Sequence, residues 1–136
     1  MTRRPDHIVV VDDDPDIRLL LTTTLEAKGY RVTTLEGGDP LWELMDSSQV
    51  DLVVLDLGLP GEDGLDICRS LRAKSQIPIL ILTARSEEVE RIIGLEMGAD
   101  DYVVKPVSAR ELQARIKTIL RRVRELPPSD AAQSDE

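Results

Sequence analysis

The amino-acid sequence predicts a doubly wound α/β fold: a five-stranded parallel sheet in the order 2-1-3-4-5, with helices on both faces. Short apolar runs alternate along the chain with longer amphipathic segments, which is typical of repeated βαβ units. The apolar runs are rich in valine, isoleucine and leucine, as expected for strands buried on both faces. Right-handed crossovers between such strands place helices on the two faces, and this strand order is common in doubly wound sheets.

The first half of the chain contains three predicted strands and two predicted helices. The strands are the apolar runs at residues 8–11 and 52–55 and a short second strand at 31–34. Asp14 is a suitable N-cap for the first helix, Pro15 suits its first turn, and Gly29 ends it. The second helix is expected at residues 38–47.

The second half continues the alternation. Helices are predicted at residues 65–73, 86–97 and 108–124, and strands at 77–82 and 101–104. Pro78 should lie at the start of its strand, and Ser108 with Glu111 forms a capping box for the last helix. From Pro127 onward the chain lacks apolar anchors. We therefore expect one folded domain over residues 1–124 and a flexible acidic tail or interdomain linker over 125–136.

Composition excludes several classes of protein. The chain has 136 residues, a net charge of −9 and 41% hydrophobic residues, which suits one globular domain. Its acidic excess argues against nucleic-acid binding by this chain alone. No apolar run approaches the ~20 residues of a membrane span, and no signal-peptide core is present. A single cysteine fits a reducing compartment, so we expect a cytoplasmic protein.

Polar residues follow the predicted strands at the points where the strands end. Asp12 and Asp13 follow the first strand, Asp56 the third, Thr83 the fourth and Lys105 the fifth. Because ligands of such sheets bind at the carboxyl ends of the strands, these side chains should converge on one crevice. Oxygen ligands without histidine or cysteine favour Mg²⁺, or Mn²⁺. A lysine and a hydroxyl can bind phosphoryl oxygens, which leaves one carboxylate to act as a nucleophile and form an aspartyl phosphate.

Four stretches of the sequence resemble the receiver domain of bacterial two-component response regulators, over roughly residues 6–124. They are VVVDDDP at residues 9–15, VLDLGLPGEDG at 54–64, LTAR at 82–85 and GADDYVVKP at 98–106. The resemblance implies the flavodoxin-like (CheY-like) version of the predicted fold. It also implies a phosphohistidine on a sensor histidine kinase as the phosphoryl donor, and no enzymatic turnover beyond self-phosphorylation and slow autodephosphorylation.

The resemblance also implies a role for each site residue. Asp56 would be the phosphoacceptor, with Asp13 as a direct Mg²⁺ ligand and Asp12 acting largely through water. The carbonyl of Gly58 would be a further ligand of the ion. The remaining implied residues are Thr83 as the switch hydroxyl, Tyr102 as the switch aromatic, and Lys105 as the phosphate-pairing cation, followed by a cis bond to Pro106.

Residues 89–122 resemble more closely the OmpR/PhoB-type subgroup, whose receivers precede a winged-helix DNA-binding domain. In that subgroup the fourth helix, fifth strand and fifth helix form a symmetric dimer face upon activation. The corresponding residues here are Arg91, Glu96, Asp100, Asp101, Glu111, Arg115 and Lys117. Crossed pairs of Arg91 with Glu111, and of Asp101 with Arg115, would suit a two-fold interface. Val107 and Gln113 depart from the subgroup pattern.

Four interpretations remain open at this point. The chain is either one domain of a longer regulator, with DNA bound only by a further C-terminal domain, or a stand-alone receiver. A phosphatase of the haloacid-dehalogenase type also uses an aspartate nucleophile at a strand end, but it needs a second aspartate where this chain has Gly58. A receiver-like module that works without phosphorylation would not need the full set of polar residues.

Overall fold

The computed structural model describes residues 4–61, 63–84, 96 and 98–125. Its five strands form one parallel sheet in the order β2-β1-β3-β4-β5, so the predicted fold class and strand order are confirmed. The strands are β1 His7–Val11, β2 Arg31–Leu35, β3 Leu52–Asp56, β4 Ile79–Thr83 and β5 Asp101–Val104. The helices are α1 Pro15–Glu26, α2 Gly38–Ser47, α3 Gly64–Lys74 and α4 Ala109–Glu125.

Local sequence signals account for the starts of α1 and α4. The Asp14 side chain accepts a hydrogen bond from the Asp16 N–H and caps α1, and Ser108 caps α4 by accepting from the Glu111 N–H. Strand β4 begins at Ile79, two residues later than predicted. Pro78 has no N–H to donate to a ladder, although its carbonyl still accepts from the Val53 N–H at 3.0 Å.

Two predicted segments cannot be compared with the structure. The predicted helix over residues 86–97 lies outside the described residues except for Glu96, which is helical and exposed. The predicted tail lies outside them from residue 126 onward.

The sheet is buried on both faces by alternating side chains. On one face, Val10, Val54 and Leu82 pack with the apolar stripes of α1 and α4. On the other, Val11, Leu55 and Ile81 pack with α2 and α3. None of the helices in the described ranges combines the length and apolar composition needed to cross a bilayer.

Strand register brings the predicted site residues to one edge. Val11 pairs with Leu55, so Asp12 and Asp56 each follow at the same level. Asp56 in turn pairs with Leu82, and the next pair along β4 and β5 is Thr83 with Val104. Lys105 therefore emerges beside the carboxylates.

Candidate phosphoryl-acceptor and metal site

Asp12, Asp13 and Asp56 form an acidic cluster at the carboxyl ends of β1 and β3. One carboxylate oxygen from each lies within 4.8 Å of the others. Asp12 and Asp56 are buried, whereas Asp13 is exposed. Backbone amides orient the two buried carboxylates: Asp12 Oδ1 accepts the Asp14 N–H at 2.9 Å, and Asp56 Oδ1 accepts the Gly58 N–H at 3.0 Å. The cluster is thus preorganised by its own loops.

Lys105 is the cation of this site. Its Nζ lies 3.2 Å from Asp56 Oδ1 and 3.4 Å from Asp12 Oδ2. Burial opposes the charge of this ammonium group, but the charges of Asp12 and Asp56 outweigh burial and raise the pKa of Lys105. The peptide bond from Lys105 to Pro106 is cis, as the resemblance implied.

The donor set fits a hard divalent cation. Three carboxylates against one ammonium leave two negative charges uncompensated, if all four groups are ionised. Asp12 Oδ2 is buried and accepts no hydrogen bond among the described residues, with Lys105 Nζ as its ion-pair neighbour. Burial, and secondarily the charge of Asp56, raise the pKa of Asp12. A bound Mg²⁺ would relieve this conflict, because it prefers carboxylate oxygens and retains water ligands.

Thr83 and Tyr102 lie on neighbouring strands and on the same face of the sheet. Thr83 pairs with Val104, and Ile81, two residues earlier, pairs with Tyr102. Because side chains alternate along a strand, Thr83 and Tyr102 are diagonal neighbours. Thr83 is buried, and Tyr102 is half-buried against the core face shared with α2 and α3. Gly58 is exposed in the turn after β3, where its N–H contacts Asp56.

Four of the predicted dimer-face residues form ion pairs within the chain: Asp100, Asp101, Glu111 and Arg115. Arg115 donates two hydrogen bonds to the Asp101 carboxylate, at 3.0 and 2.9 Å, and pairs with Glu111 at 3.1 Å. Asp100 pairs with Arg72, and Lys117 is exposed. Arg91 lies outside the described residues. A role of these residues in dimerisation stays a prediction.

Two residues next to the site were not identified from the sequence. Arg18 of α1 donates from its guanidinium to the Asp12 carbonyl at 2.8 Å, which anchors the loop carrying the acidic cluster.

The second residue is Gly64. A Cβ added to Gly64 would lie 2.5 Å from Leu57 Cα and 2.8 Å from the Asp56 carbonyl oxygen. The start of α3 therefore approaches the Asp56 backbone more closely than a side chain permits. In the sequence, only the stretch VLDLGLPGEDG, which ends at Gly64, could have indicated this close approach.

Comparison with known proteins agrees with this geometry. Residues 8–117 match the family described as the response regulator receiver domain. Relatives include the transcriptional regulatory protein BaeR of Escherichia coli, 48% identical over 92% of this chain and 53% of the relative. Another is TorR of Escherichia coli, 45% identical over 88% of this chain and 52% of the relative. The chain spans about half the length of these curated relatives.

Solved receiver domains share the fold. The receiver domain of TorR superposes with a TM-score of 0.83 at 46% identity, covering 87% of this chain and 98% of that one. The BeF3-activated receiver of Klebsiella pneumoniae RstA gives 0.79 at 39% identity, covering 85% and 99%. DrrB of Thermotoga maritima, an OmpR/PhoB homologue, gives 0.79 at 36% identity, covering 88% of this chain and 54% of that one.

The fold and the match together define a signalling module of two-component systems. The chain belongs to the response regulator receiver family, and its relatives are response regulators of the OmpR/PhoB type.

Proposed function

We propose that this receiver domain accepts a phosphoryl group on Asp56 from a phosphohistidine of a sensor histidine kinase. The observation that carries the proposal is the convergence of Asp12, Asp13 and Asp56 within 4.8 Å of one another beside the Lys105 ammonium. Phosphoryl transfer requires positioning and charge neutralisation more than covalent chemistry by the protein, and this group of side chains supplies both.

The contacts of Asp56 indicate which oxygen reacts. Oδ1 accepts the Gly58 N–H and pairs with Lys105, so Oδ2 is the oxygen positioned to attack. A bond forms between Oδ2 and phosphorus as the bond from phosphorus to the donor nitrogen breaks. Lys105 balances the negative charge carried by the phosphoryl oxygens, and the Thr83 hydroxyl donates to one of them.

The metal site would be formed by the carboxylates of Asp12, Asp13 and Asp56, with the Gly58 carbonyl as a further ligand. Mg²⁺, or Mn²⁺, would neutralise charge on the phosphoryl oxygens and so allow the carboxylate to approach phosphorus. Asp12 Oδ2 supports this assignment, because it is buried and accepts no hydrogen bond among the described residues. Asp12 and Asp13 would otherwise repel both Asp56 and the incoming phosphoryl group.

Phosphorylation would act through Thr83 and Tyr102. An inward movement of Thr83 toward the phosphoryl group vacates space on the sheet face that Thr83 shares with Tyr102, and Tyr102 turns to fill it. The diagonal placement of the two side chains supports this coupling. The face made by residues 86–97, β5 and α4 would then form a symmetric homodimer, through Arg91, Glu96, Asp100, Asp101, Glu111, Arg115 and Lys117.

The rest of the signalling protein is also a proposal. Residues 1–124 would be the receiver, and 125–136 a linker to an output domain, because the relatives are about twice as long as this chain. Two of them are described as transcriptional regulatory proteins, which favours a DNA-binding output that controls transcription. A cytoplasmic location follows from the proposed kinase and DNA partners.

Intact-mass measurement tests the phosphoryl transfer. The chain is incubated with acetyl phosphate, with and without Mg²⁺. We expect a gain of one phosphoryl group that requires Mg²⁺ and is lost in Asp56→Asn. Asp63→Asn is the matched control, because it removes the same charge from an exposed helix cap. No gain in the wild type, or an equal gain in Asp56→Asn, would contradict the proposal. Turnover of many equivalents would favour a phosphatase.

A further inference from the structure

A set of polar contacts connects helix α3 to the start of β5. We call this set the β5 clamp; its residues are Arg72, Gly98 and Asp100. The Arg72 guanidinium donates to the Gly98 carbonyl from Nε at 3.1 Å and from a terminal nitrogen at 2.9 Å. It also donates to the Ile77 carbonyl at 3.0 Å and to the Ser75 carbonyl at 3.4 Å. One side chain thus connects the end of α3, the approach to β4 and the approach to β5.

Gly98 is shaped for this contact. Its φ is +88°, a region that side chains disfavour. A Cβ at this position would lie 3.2 Å from Arg72 Nε and 3.3 Å from Arg72 Cγ. The backbone conformation therefore favours glycine here, and a side chain at this position would also crowd Arg72.

Asp100 joins the clamp to the sheet. Its Oδ2 accepts the Ile79 N–H at 2.8 Å and lies 3.3 Å from a terminal nitrogen of Arg72. Its own N–H donates to the Ile79 carbonyl at 2.9 Å. Asp100 therefore binds both polar backbone groups of the residue at which β4 begins. This fixes the register of β5 before the strand starts.

Register matters here because β5 is short. It has four residues and, within the described part of the chain, pairs only with β4 at the edge of the sheet. A slip of one residue would move every side chain of such a strand to the opposite face. At its other end the Lys105 N–H donates to the Thr83 carbonyl at 2.7 Å, and Lys105 Nζ contacts Asp56 at 3.2 Å.

We propose that Arg72 is a positioning residue for the phosphoryl-acceptor site: the β5 clamp sets the register of β5 and thereby places Lys105 and Tyr102. This inference rests on the proposed function, because its consequence for chemistry is the position of Lys105 beside Asp56. It also gives Asp100 a role within the chain, separate from the dimer face.

A double-mutant cycle tests whether Arg72 acts through Lys105. The rate of phosphoryl gain from acetyl phosphate with Mg²⁺ is measured for the wild type, Arg72→Ala, Lys105→Ala and the double variant. We expect Arg72→Ala to slow the wild type roughly tenfold, since small misplacements of reacting groups are costly. In the Lys105→Ala background we expect no further slowing. A loss of folded protein would instead lower the rate equally in both backgrounds, and that additivity would overturn the proposal.

Arg69→Ala is the matched control, because Arg69 lies on the same helix and pairs only with the exposed Asp66 among the described contacts. We expect it to leave the rate unchanged. Asp100→Asn removes the ion pair but keeps an acceptor for the Ile79 N–H, so it provides a second variant if Arg72→Ala does not fold.

Hydrogen exchange provides a readout that does not depend on chemistry. Peptides covering β5 should exchange faster in Arg72→Ala and Asp100→Asn than in Arg69→Ala, with α1 peptides unchanged. Equal protection of β5 in all variants would overturn the proposal. A wild type that gains no phosphoryl group would defeat the proposed function. A normal wild type with an unaffected Arg72→Ala would defeat only the positioning role.

Discussion

At Asp12, burial and negative charge are in conflict. The carboxylate is 0% exposed, and its Oδ2 accepts no hydrogen bond among the described residues. Burial raises the pKa of Asp12, assisted by the charge of Asp56 and opposed by the Asp14 N–H and Lys105. A buried group of this kind destabilises the metal-free fold. The presence of a carboxylate at this buried position is explained if a bound cation offsets the free-energy cost of burying it.

Replacement of Asp12 by asparagine tests this conflict. We expect Asp12→Asn to raise the melting temperature of the metal-free protein by roughly 4 °C, equivalent to about 1 kcal/mol. Mg²⁺ should raise the melting temperature of the wild type and have much less effect on the variant. Asp63→Asn should match the wild type in both conditions. A variant less stable than the metal-free wild type would contradict the explanation.

The same residue predicts a pH dependence. Because the folded-state pKa of Asp12 lies above the ordinary value of 3.8 for aspartate, the folded protein binds this proton more tightly than the unfolded chain does. The contribution of Asp12 to stability therefore becomes more unfavourable as pH rises through the raised pKa. The advantage of Asp12→Asn in unfolding free energy should shrink as pH falls toward 3.8. Urea denaturation of both proteins at several pH values measures this difference in unfolding free energy. A stability advantage of Asp12→Asn that grows as pH falls would contradict the raised pKa of Asp12.

The sequence predicts which residues lie at the ends of strands. It does not predict which side chains contact the backbone of another segment. Asp12, Asp56 and Lys105 follow recognisable apolar runs, so topology alone brings them together. Arg18 donates to a main-chain carbonyl. Because every residue has such a carbonyl, no particular residue type in the sequence indicates this contact. His7 is similar: it is buried in β1, with Nδ1 2.9 Å from the Gln49 carbonyl and Nε2 2.7 Å from Thr33 Oγ1.

At the level of elements, the start of α3 determines where Asp56 sits. Asp63 caps this helix by accepting the Leu65 N–H at 2.9 Å. The next residue, Gly64, lies directly against the Asp56 and Leu57 backbone. The helix therefore supports the end of β3, and this support depends on the absence of a side chain at residue 64.

A methyl group at residue 64 should disturb this support. We expect Gly64→Ala to lower the free energy of unfolding by about 2–3 kcal/mol, because the added Cβ meets rigid backbone. It should also slow phosphoryl gain, since the Asp56 backbone must shift. Urea denaturation and intact-mass kinetics measure the two effects.

Gly61→Asn is the control for this prediction. Gly61 has a φ of +73° and no atom within 4 Å of an added Cβ, and asparagine tolerates that backbone conformation. The control should cost under about 1 kcal/mol. Equal losses in the two variants would contradict the packing argument.

Elements were predictable to the extent that their signals are local. The parallel βαβ architecture followed from the alternation of apolar runs, and the strand order was taken from an order common in such sheets. Helices α1 and α4 begin at the predicted caps. The start of β4 was misplaced because hydropathy includes Ile77 and Pro78, whereas the ladder requires N–H groups. The β5 clamp was missed because Arg72 resembles an ordinary surface charge, and because Asp100, 28 residues away, was assigned to the dimer face instead.

For the whole molecule, the proposed dimer depends on ion pairs that can change partners. Arg115 is 40% exposed and already pairs with Asp101 and Glu111 in the single chain. Exposed pairs contribute about 1 kcal/mol or less, so exchanging a partner within the chain for one across a two-fold axis costs little. Activation would therefore need to supply only a modest energy.

Removal of Arg115 should separate dimerisation from phosphorylation. With beryllofluoride and Mg²⁺ as a phosphoryl mimic, we expect the wild type to dimerise and Arg115→Ala to raise the dimer dissociation constant at least about tenfold, given the loss of symmetric pairs at two sites. Phosphoryl gain should be unchanged. Arg110→Ala, on the exposed side of the same helix, is the control. Sedimentation velocity measures the dimer, and an Arg115→Ala dimer as tight as the wild type would count against the proposed face.

The position of the phosphoryl group decides whether Asp56 is the acceptor. Borohydride reduction of the phosphorylated chain converts an aspartyl phosphate to homoserine, and peptide mass spectrometry then locates it. We expect homoserine at position 56 alone, formed only when Mg²⁺ and the phosphodonor are both present. Modification at Asp12 or Asp13, or at no aspartate, would contradict it.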